Sequence, residues 1–264
     1  MRYLIIGASG FLGQTIYYKL KSSGKKVWGT YASHKIDQDL IKLDVMDTEE
    51  LWNIYIRYRP NVIIWTVMNA SIEEEIAEKS IKFLTERLQQ TRIIFLSTSV
   101  AYEKDMDECI EPQVRNAKDY NYHYFNGKIK SEAYITRCQN YCIVRPGSIY
   151  GTTPYGEMDM RQRALKEYID QRKLYYRAED IVFSIVEVNE LAEAVLELAD
   201  NDYIGIINIS EERPINHYEF NLLLCGLNGW DNSWIKSYKE RENIYYLNNA
   251  LRKRVLNTRL RGDD

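Results

Sequence analysis

The sequence predicts an α/β chain with helices wound around both faces of a parallel sheet. Two observations predict it. Short apolar runs alternate with amphipathic stretches through the first two thirds of the chain, and glycines at Gly7, Gly10 and Gly13 join the first run to the first stretch. A third observation sets the scale: 264 residues, 45% hydrophobic and 28% charged, describe an ordinary globular chain long enough to bury a substantial core.

In order, residues 2–6 read as a buried strand. The stretch from Phe11 to Ser23 reads as a helix stopped by Gly24. Val27 to Tyr31 is a second strand and Ile41 to Asp44 a short third. Thr48 to Arg59 is helical, with Glu49 and Glu50 suiting its start and Pro60 following its end. Val62 to Val67 is the fourth strand. Glu73 to Gln90 reads as one long helix whose acidic start suits the helix dipole. Arg92 to Ser97 is the fifth strand, residues 103–121 a loop, Tyr122 to Gln139 a helix and Tyr141 to Arg145 the sixth strand. Beyond Gly151 the pattern weakens. Residues 151–180 are polar, Ile181 to Val188 and Ile204 to Ile209 are strand-like, Asn189 to Ala199 is helical, and the tail from Arg213 mixes short helices and loops.

Composition narrows the function classes. A net charge of -3 argues against a dedicated nucleic-acid binder. The N-terminal apolar run is too short for a signal peptide, and no run is long enough to span a bilayer, so the chain reads as cytoplasmic and free of membrane. Cys109, Cys138, Cys142 and Cys225, with the scattered His34, His123 and His217, match no metal or redox spacing, so no metal site is expected. The 22 tyrosines suit the rim of the core.

Gly7-Ala-Ser9-Gly10-Phe11-Leu12-Gly13 follows a strand and opens a helix, the context a dinucleotide phosphate loop demands. Gly7 permits a tight turn, Gly10 lets the pyrophosphate approach the backbone, and Gly13 lets the helix pack on the strand. The first N–H groups of the helix then face the phosphates. A bare tight turn is the bland alternative. The loop and the alternating pattern together predict a Rossmann-type doubly wound sheet. An acid closing the second strand would bind the ribose 2′-hydroxyl and favour NAD. Here the strand runs Thr30-Tyr31-Ala32-Ser33-His34-Lys35 with no acid. Tyr31, Ser33 and Lys35 therefore stand as candidates for the adenosine end, with Ser33 and Lys35 placed to hold a 2′-phosphate, and NADP(H) is favoured over NAD(H). Asp37 is the acid that a longer strand would bring to the ribose, and a plain solvated loop is the other reading of Ser33 and Lys35.

Tyr124-Phe-Asn-Gly-Lys128 puts a phenol and an ammonium on one helix face. A phenol with a pKa near 10 shuttles protons poorly at neutral pH, and a nearby ammonium favours its ionised form. A surface pair on a solvated helix is the alternative. The fifth strand runs into Ser97-Thr98-Ser99-Val-Ala-Tyr102, hydroxyls where ligands bind in open α/β sheets.

These elements, with Arg145-Pro-Gly-Ser-Ile-Tyr-Gly151 after the sixth strand, closely resemble the extended short-chain dehydrogenase/reductase family acting on nucleotide sugars. Within it, they are most similar to the dTDP-4-dehydrorhamnose reductase branch. Pro60-Asn-Val-Ile-Ile, Lys128-Ile-Lys-Ser-Glu132, Val186-Glu-Val-Asn-Glu-Leu-Ala192, Gly205-Ile-Ile-Asn-Ile-Ser210 and Leu256-Asn-Thr-Arg-Leu260 extend the likeness over nearly the whole chain. The resemblance implies a dinucleotide-binding domain over 1–150, to which 181–209 returns. It also implies a small, partly interleaved substrate-binding domain over 151–180 and 210–264. It makes Thr98 the hydroxyl residue of a catalytic triad, with Ser99 as runner-up, Tyr124 the proton donor and Lys128 its tuner and a ribose ligand. Gly7, Ser9, Gly10, Phe11, Leu12, Gly13, Asp44, Val45 and Thr66 fall to the cofactor, and Ser99, Tyr102 and Arg145 to the substrate side, with Arg145 also fit to support the strand end. A nucleotide-sugar substrate and a homodimer are implied as partners.

Departures from the family pattern are Thr66-Val67-Met68 in place of alanines, no asparagine within Ala77 to Phe83, Glu103 for a glycine, and a short 151–180 region. Ser99-Val100 after Thr98, where dehydratases carry acids, argues against dehydration. The expected reaction is reduction of the keto group of a nucleotide-linked 4-keto-6-deoxy sugar. A 4-epimerase holding NAD tightly and a non-catalytic dinucleotide sensor are the rivals.

Overall fold

The computed structural model describes residues 1–99 and 104–263. Its centre is a seven-stranded sheet in the order β11-β6-β5-β4-β1-β2-β3, every neighbouring pair parallel. The strands are β1 (Arg2–Ile6), β2 (Lys26–Tyr31), β3 (Ile41–Lys42), β4 (Val62–Trp65), β5 (Arg92–Leu96), β6 (Tyr141–Pro146) and β11 (Gly205–Ile209). The order reverses at β1, where the chain turns from building one half of the sheet to the other. That switch point opens a crevice at the carboxyl ends of the strands. The doubly wound parallel sheet is the one the sequence predicts.

β1, β4 and β5 are buried almost throughout, so their alternate side chains feed two cores. One core packs Tyr3, Ile5, Ile64 and Val144 under α1 (Phe11–Ser22) and α7 (Val188–Asp200). The other packs Leu4, Trp65, Ile93 and Phe95 under α2 (Thr48–Tyr58) and the helices that follow β4 and β5. Asp47 caps α2 by accepting from Glu50 N, and Arg59 closes it in the left-handed region at φ 44°.

The expected long helix from Glu73 to Gln90 is shorter and interrupted. α3 (Glu73–Ile76) passes through a π-helical turn, Ala77–Ile81, into α4 (Lys82–Thr85). Its partner α5 (Tyr122–Ile135) also stops before the expected Gln139. The expected strand over Ile181 to Val188 divides into β9 (Ile181–Phe183) and β10 (Ile185–Glu187), because β9 pairs with β12 (Ile215–Asn216) and β14 (Asn243–Ile244), while β10 pairs with β7 (Ser148–Tyr150). Within 151–180 lie α6 (Met160–Asp170) and β8 (Tyr175–Ala178), and the tail carries the twelve-residue α8 (His217–Asn228). These elements share a separate core of Tyr150, Leu165, Phe183, Phe220 and Leu224 beside the crevice.

Candidate active site

The crevice is a cleft of about 840 Å³ along the carboxyl edge of the sheet. Its floor is the glycine loop. Gly7 takes φ +91°, and Gly10 N donates to Gly7 O at 3.0 Å, closing the turn. A Cβ on Gly13 would lie 2.2 Å from Gly7 O, so only glycine lets α1 start this close to β1. No side chain caps α1 at Gly10, which leaves its first N–H groups for a ligand. Two threonines brace the loop: Gly7 N donates to Thr30 Oγ1 at 3.0 Å, and Thr66 Oγ1 donates to Gly7 O at 3.0 Å. The departure at Thr66 therefore has a structural role in holding the loop. The first N–H groups of α1, the absence of a Cβ at Gly10 and the elongated cleft fit a dinucleotide's diphosphate.

Beside the carboxyl end of β2, Tyr31, Ser33, Asp44 and Val45 line the cleft. Lys35 does not; its ammonium sits 5.7 Å over the Tyr31 ring. Asp37 does not reach the cleft either. Lys21 holds it at 2.8 Å, and the Asp37 carboxyl lies below its ordinary range although burial opposes this, because Lys21 and the Asp39 N–H bind it.

At the other end Thr98, Ser99, Tyr124 and Lys128 share the cleft wall. Ser97 also lines it, but its hydroxyl donates to the buried Glu132 and is spent. Thr98 and Ser99 follow it on the cleft wall. The Lys128 ammonium lies 5.8 Å from the Tyr124 ring centroid and donates to Val67 O at 2.9 Å and Leu96 O at 3.0 Å. Its side chain is 2% exposed and pairs with Glu73 Oε1 at 2.9 Å. Three oxygens, Val67 O, Leu96 O and Glu73 Oε1, thus lie within 3.0 Å of an ammonium that has three N–H donors.

Arg145 stands apart from its expected place. Its guanidinium grips Glu132 through Nη2 at 2.7 Å and Nε at 3.1 Å, and Nη1 donates to Glu108 O. It is 3% exposed and does not line the cleft, so it supports the end of β6 rather than meeting a substrate. Three of its five N–H donors are held by Glu132 and Glu108. Tyr102 lies outside the described residues.

Sequence reasoning missed two features. Glu73, assigned to the dipole of its helix, turns inward to Lys128. Gln14, fully buried in α1, is held from the far side of the cleft: its Oε1 accepts from Thr153 Oγ1 at 3.0 Å and its Nε2 donates to Glu157 at 2.5 Å. A polar residue on an otherwise apolar helical face was the available signal. Glu157, Met158, Met160 and Arg161 complete the cleft wall from that side.

A doubly wound sheet with a phosphate loop at its switch point and a Tyr-x-x-x-Lys pair on the facing wall defines an extended short-chain dehydrogenase/reductase. The sequence profile of the NAD dependent epimerase/dehydratase family matches residues 3–210, and the chain belongs to that family. Three solved structures show the same fold. A hypothetical dTDP-4-dehydrorhamnose reductase from Sulfolobus tokodaii aligns over 100% of this chain and 98% of its own, with TM-score 0.80 and 22% identity. The dTDP-glucose 4,6-dehydratase of Bacillus anthracis in complex with NAD aligns over 97% and 90%, with TM-score 0.78 and 15% identity. The UDP-glucose 4-epimerase of Thermotoga maritima with UDP-glucose aligns over 100% and 94%, with TM-score 0.76 and 18% identity. A search of curated proteins returned no match. Among the described residues no helix is long and apolar enough to cross a membrane.

Proposed function

We propose that the chain is an NADP(H)-dependent reductase of a nucleotide-linked 4-keto-6-deoxy sugar, akin to dTDP-4-dehydrorhamnose reductase. One observation carries the reading: Tyr124, Lys128, Thr98 and Ser99 line one cleft together with the glycine loop. The bound reduced nicotinamide supplies hydride to the sugar carbonyl. Tyr124 donates the proton to the carbonyl oxygen, and Thr98 steadies the charge that develops there. Lys128, which lines the cleft, meets the nicotinamide ribose and keeps its charge beside the phenol. Ser9, Gly10, Phe11 and Leu12 hold the diphosphate, and Ser99 meets the sugar.

The adenosine end supports NADP(H). Ser33 lines it, and Asp37, the acid that would favour NAD, is bound to Lys21 away from the cleft. A homodimer acting in the cytoplasm, with residues 151–180 and 210–264 forming the substrate domain, completes the proposal.

The test follows NADPH and NADH oxidation across dTDP-, GDP-, CDP- and UDP-4-keto-6-deoxy sugars. Turnover with NADPH is expected, falling roughly 10²–10⁴-fold in Tyr124→Phe. No turnover of any keto sugar, or an unchanged rate in Tyr124→Phe, overturns the reading. NAD that copurifies with the protein, without net oxidation, points to the 4-epimerase. Tighter binding of NADH than NADPH decides against the cofactor assignment.

A further inference from the structure

Two charged side chains meet behind the cleft wall, both almost wholly shielded from water. Lys128 is 2% exposed and the Glu73 side chain 1% exposed, and Lys128 Nζ lies 2.9 Å from Glu73 Oε1. Placing an ion pair this deep carries a desolvation cost that only good geometry offsets. The fold spends geometry on it. A Cβ on Gly127 would lie 2.4 Å from the Glu73 carbonyl carbon, so only a glycine lets α5 press against α3 at this level. Glu73 is steered by its other oxygen, which accepts from Asn69 N at 2.7 Å. Its Oε1 has no aligned hydrogen bond, although the ammonium is close. The N–H groups of Lys128 go instead to Val67 O and Leu96 O. Backbone carbonyls on one side and the Glu73 carboxylate on the other therefore enclose the ammonium.

We propose that Glu73 is the positioning residue of the Tyr124–Lys128 pair, holding the ammonium against the cleft wall and compensating its charge behind it. The inference rests on the assignment of Tyr124 and Lys128 to proton transfer. Among the described residues, the charged and titratable groups nearest the ammonium are few. Tyr124 stands on its own helix and Glu73 on α3. One helical turn further on, Glu132 is already neutralised by Arg145. No titratable side chain comes from the strands beneath: Val67 and Leu96 present carbonyls, and the Phe95 ring lies 4.9 Å from Nζ. Glu73 is thus, among the described residues, the carboxylate paired with the ammonium. An opposite charge at such a distance moves a titration by about 1–3 pH units.

The test is a pH titration of protein labelled with ¹³C at tyrosine Cζ and lysine Cε, with the Tyr124 and Lys128 signals identified by Tyr124→Phe and Lys128→Met. In Glu73→Gln the first proton to leave the pair, on whichever label reports it, is expected at least about one pH unit lower than in the wild type. Glu73→Asp, which keeps the charge, is expected to restore most of the difference. A folded Glu73→Gln protein with both titrations unchanged overturns the proposal and leaves Glu73 a packing residue. If Glu73→Gln does not fold, Lys128→Met gives the reciprocal test on ¹³Cδ-labelled glutamate. The Glu73 signal is then expected to titrate at least about one unit higher, and no movement overturns the proposal. The titration uses no substrate. A wild type that turned over no keto sugar would end the reductase reading without deciding this one.

Discussion

The two ends of the cleft are built from different material. At the glycine-loop end the protein offers backbone: three glycines and the open start of α1, with two threonine hydroxyls bracing the turn. At the Tyr124–Lys128 end it offers buried charge: Lys128 on Glu73, and Arg145 on Glu132 with the Ser97 hydroxyl added. A backbone site fails when an atom is added to it. A charge site fails when an atom is taken away, because the partner left behind is buried and alone. The two ends should therefore respond oppositely to mutation.

The largest effect expected is at the charge end. Arg145→Ala strands Glu132 in the core and should remove about 3–5 kcal/mol of stability in urea melts. NADPH binding, measured below the transition, should hardly change. A loss of binding in a stable Arg145→Ala protein would break the comparison. Next comes the backbone end. Gly13→Ala adds a Cβ that would sit 2.2 Å from Gly7 O, and α1 must move off the loop. NADPH affinity should fall about 100-fold or more, near 2.7 kcal/mol, by fluorescence titration.

A third test asks whether buried charge away from the cleft follows the same logic. Burial pushes the Glu211 carboxyl up to about 7, against an ordinary 4.5, with the Tyr150 hydroxyl donating to it. Between those values the folded protein holds a proton that the unfolded chain has released. Stability is therefore lost as pH rises from about 4.5, and the loss is complete above about 7. The thermal midpoint should fall between pH 5 and pH 8 by the equivalent of about 2 kcal/mol, and Glu211→Gln should flatten most of that slope. Glu190, also raised by burial, adds a residual slope of the same sign. The smallest effect belongs to Ser33→Ala. It should lower the preference for NADPH over NADH by about fivefold, near 1 kcal/mol, in paired binding titrations.

The same contrast explains what the sequence made legible. Gly7, Gly10 and Gly13 could be read because backbone geometry imposes residue type at fixed spacing, and Tyr124 and Lys128 because one helix carries both. The parallel sheet could be read because its strands bury both faces. Glu73 could not be read against Lys128, since 55 positions separate them and an acidic first turn already had a local explanation in the helix dipole. Arg145 was legible as important but not in direction, because nothing in its neighbours says which face of β6 meets Glu132. Lys35 looked available until its ammonium was found over Tyr31. Beyond Gly151 the short strands pair in several small sheets, so the apolar runs are too brief to carry a period.

Gln14 gives the chain a constraint on how it can be divided. Its amide belongs to the first helix but is satisfied by Thr153 and Glu157, well over a hundred positions later. A fragment ending at Tyr150 would keep six strands of the central sheet and the whole phosphate loop, yet leave this amide without either partner in the fold. The native structure thus ties its first helix to a segment far along the chain, a contact of long sequence separation that cutting the chain at the edge of the sheet would forfeit.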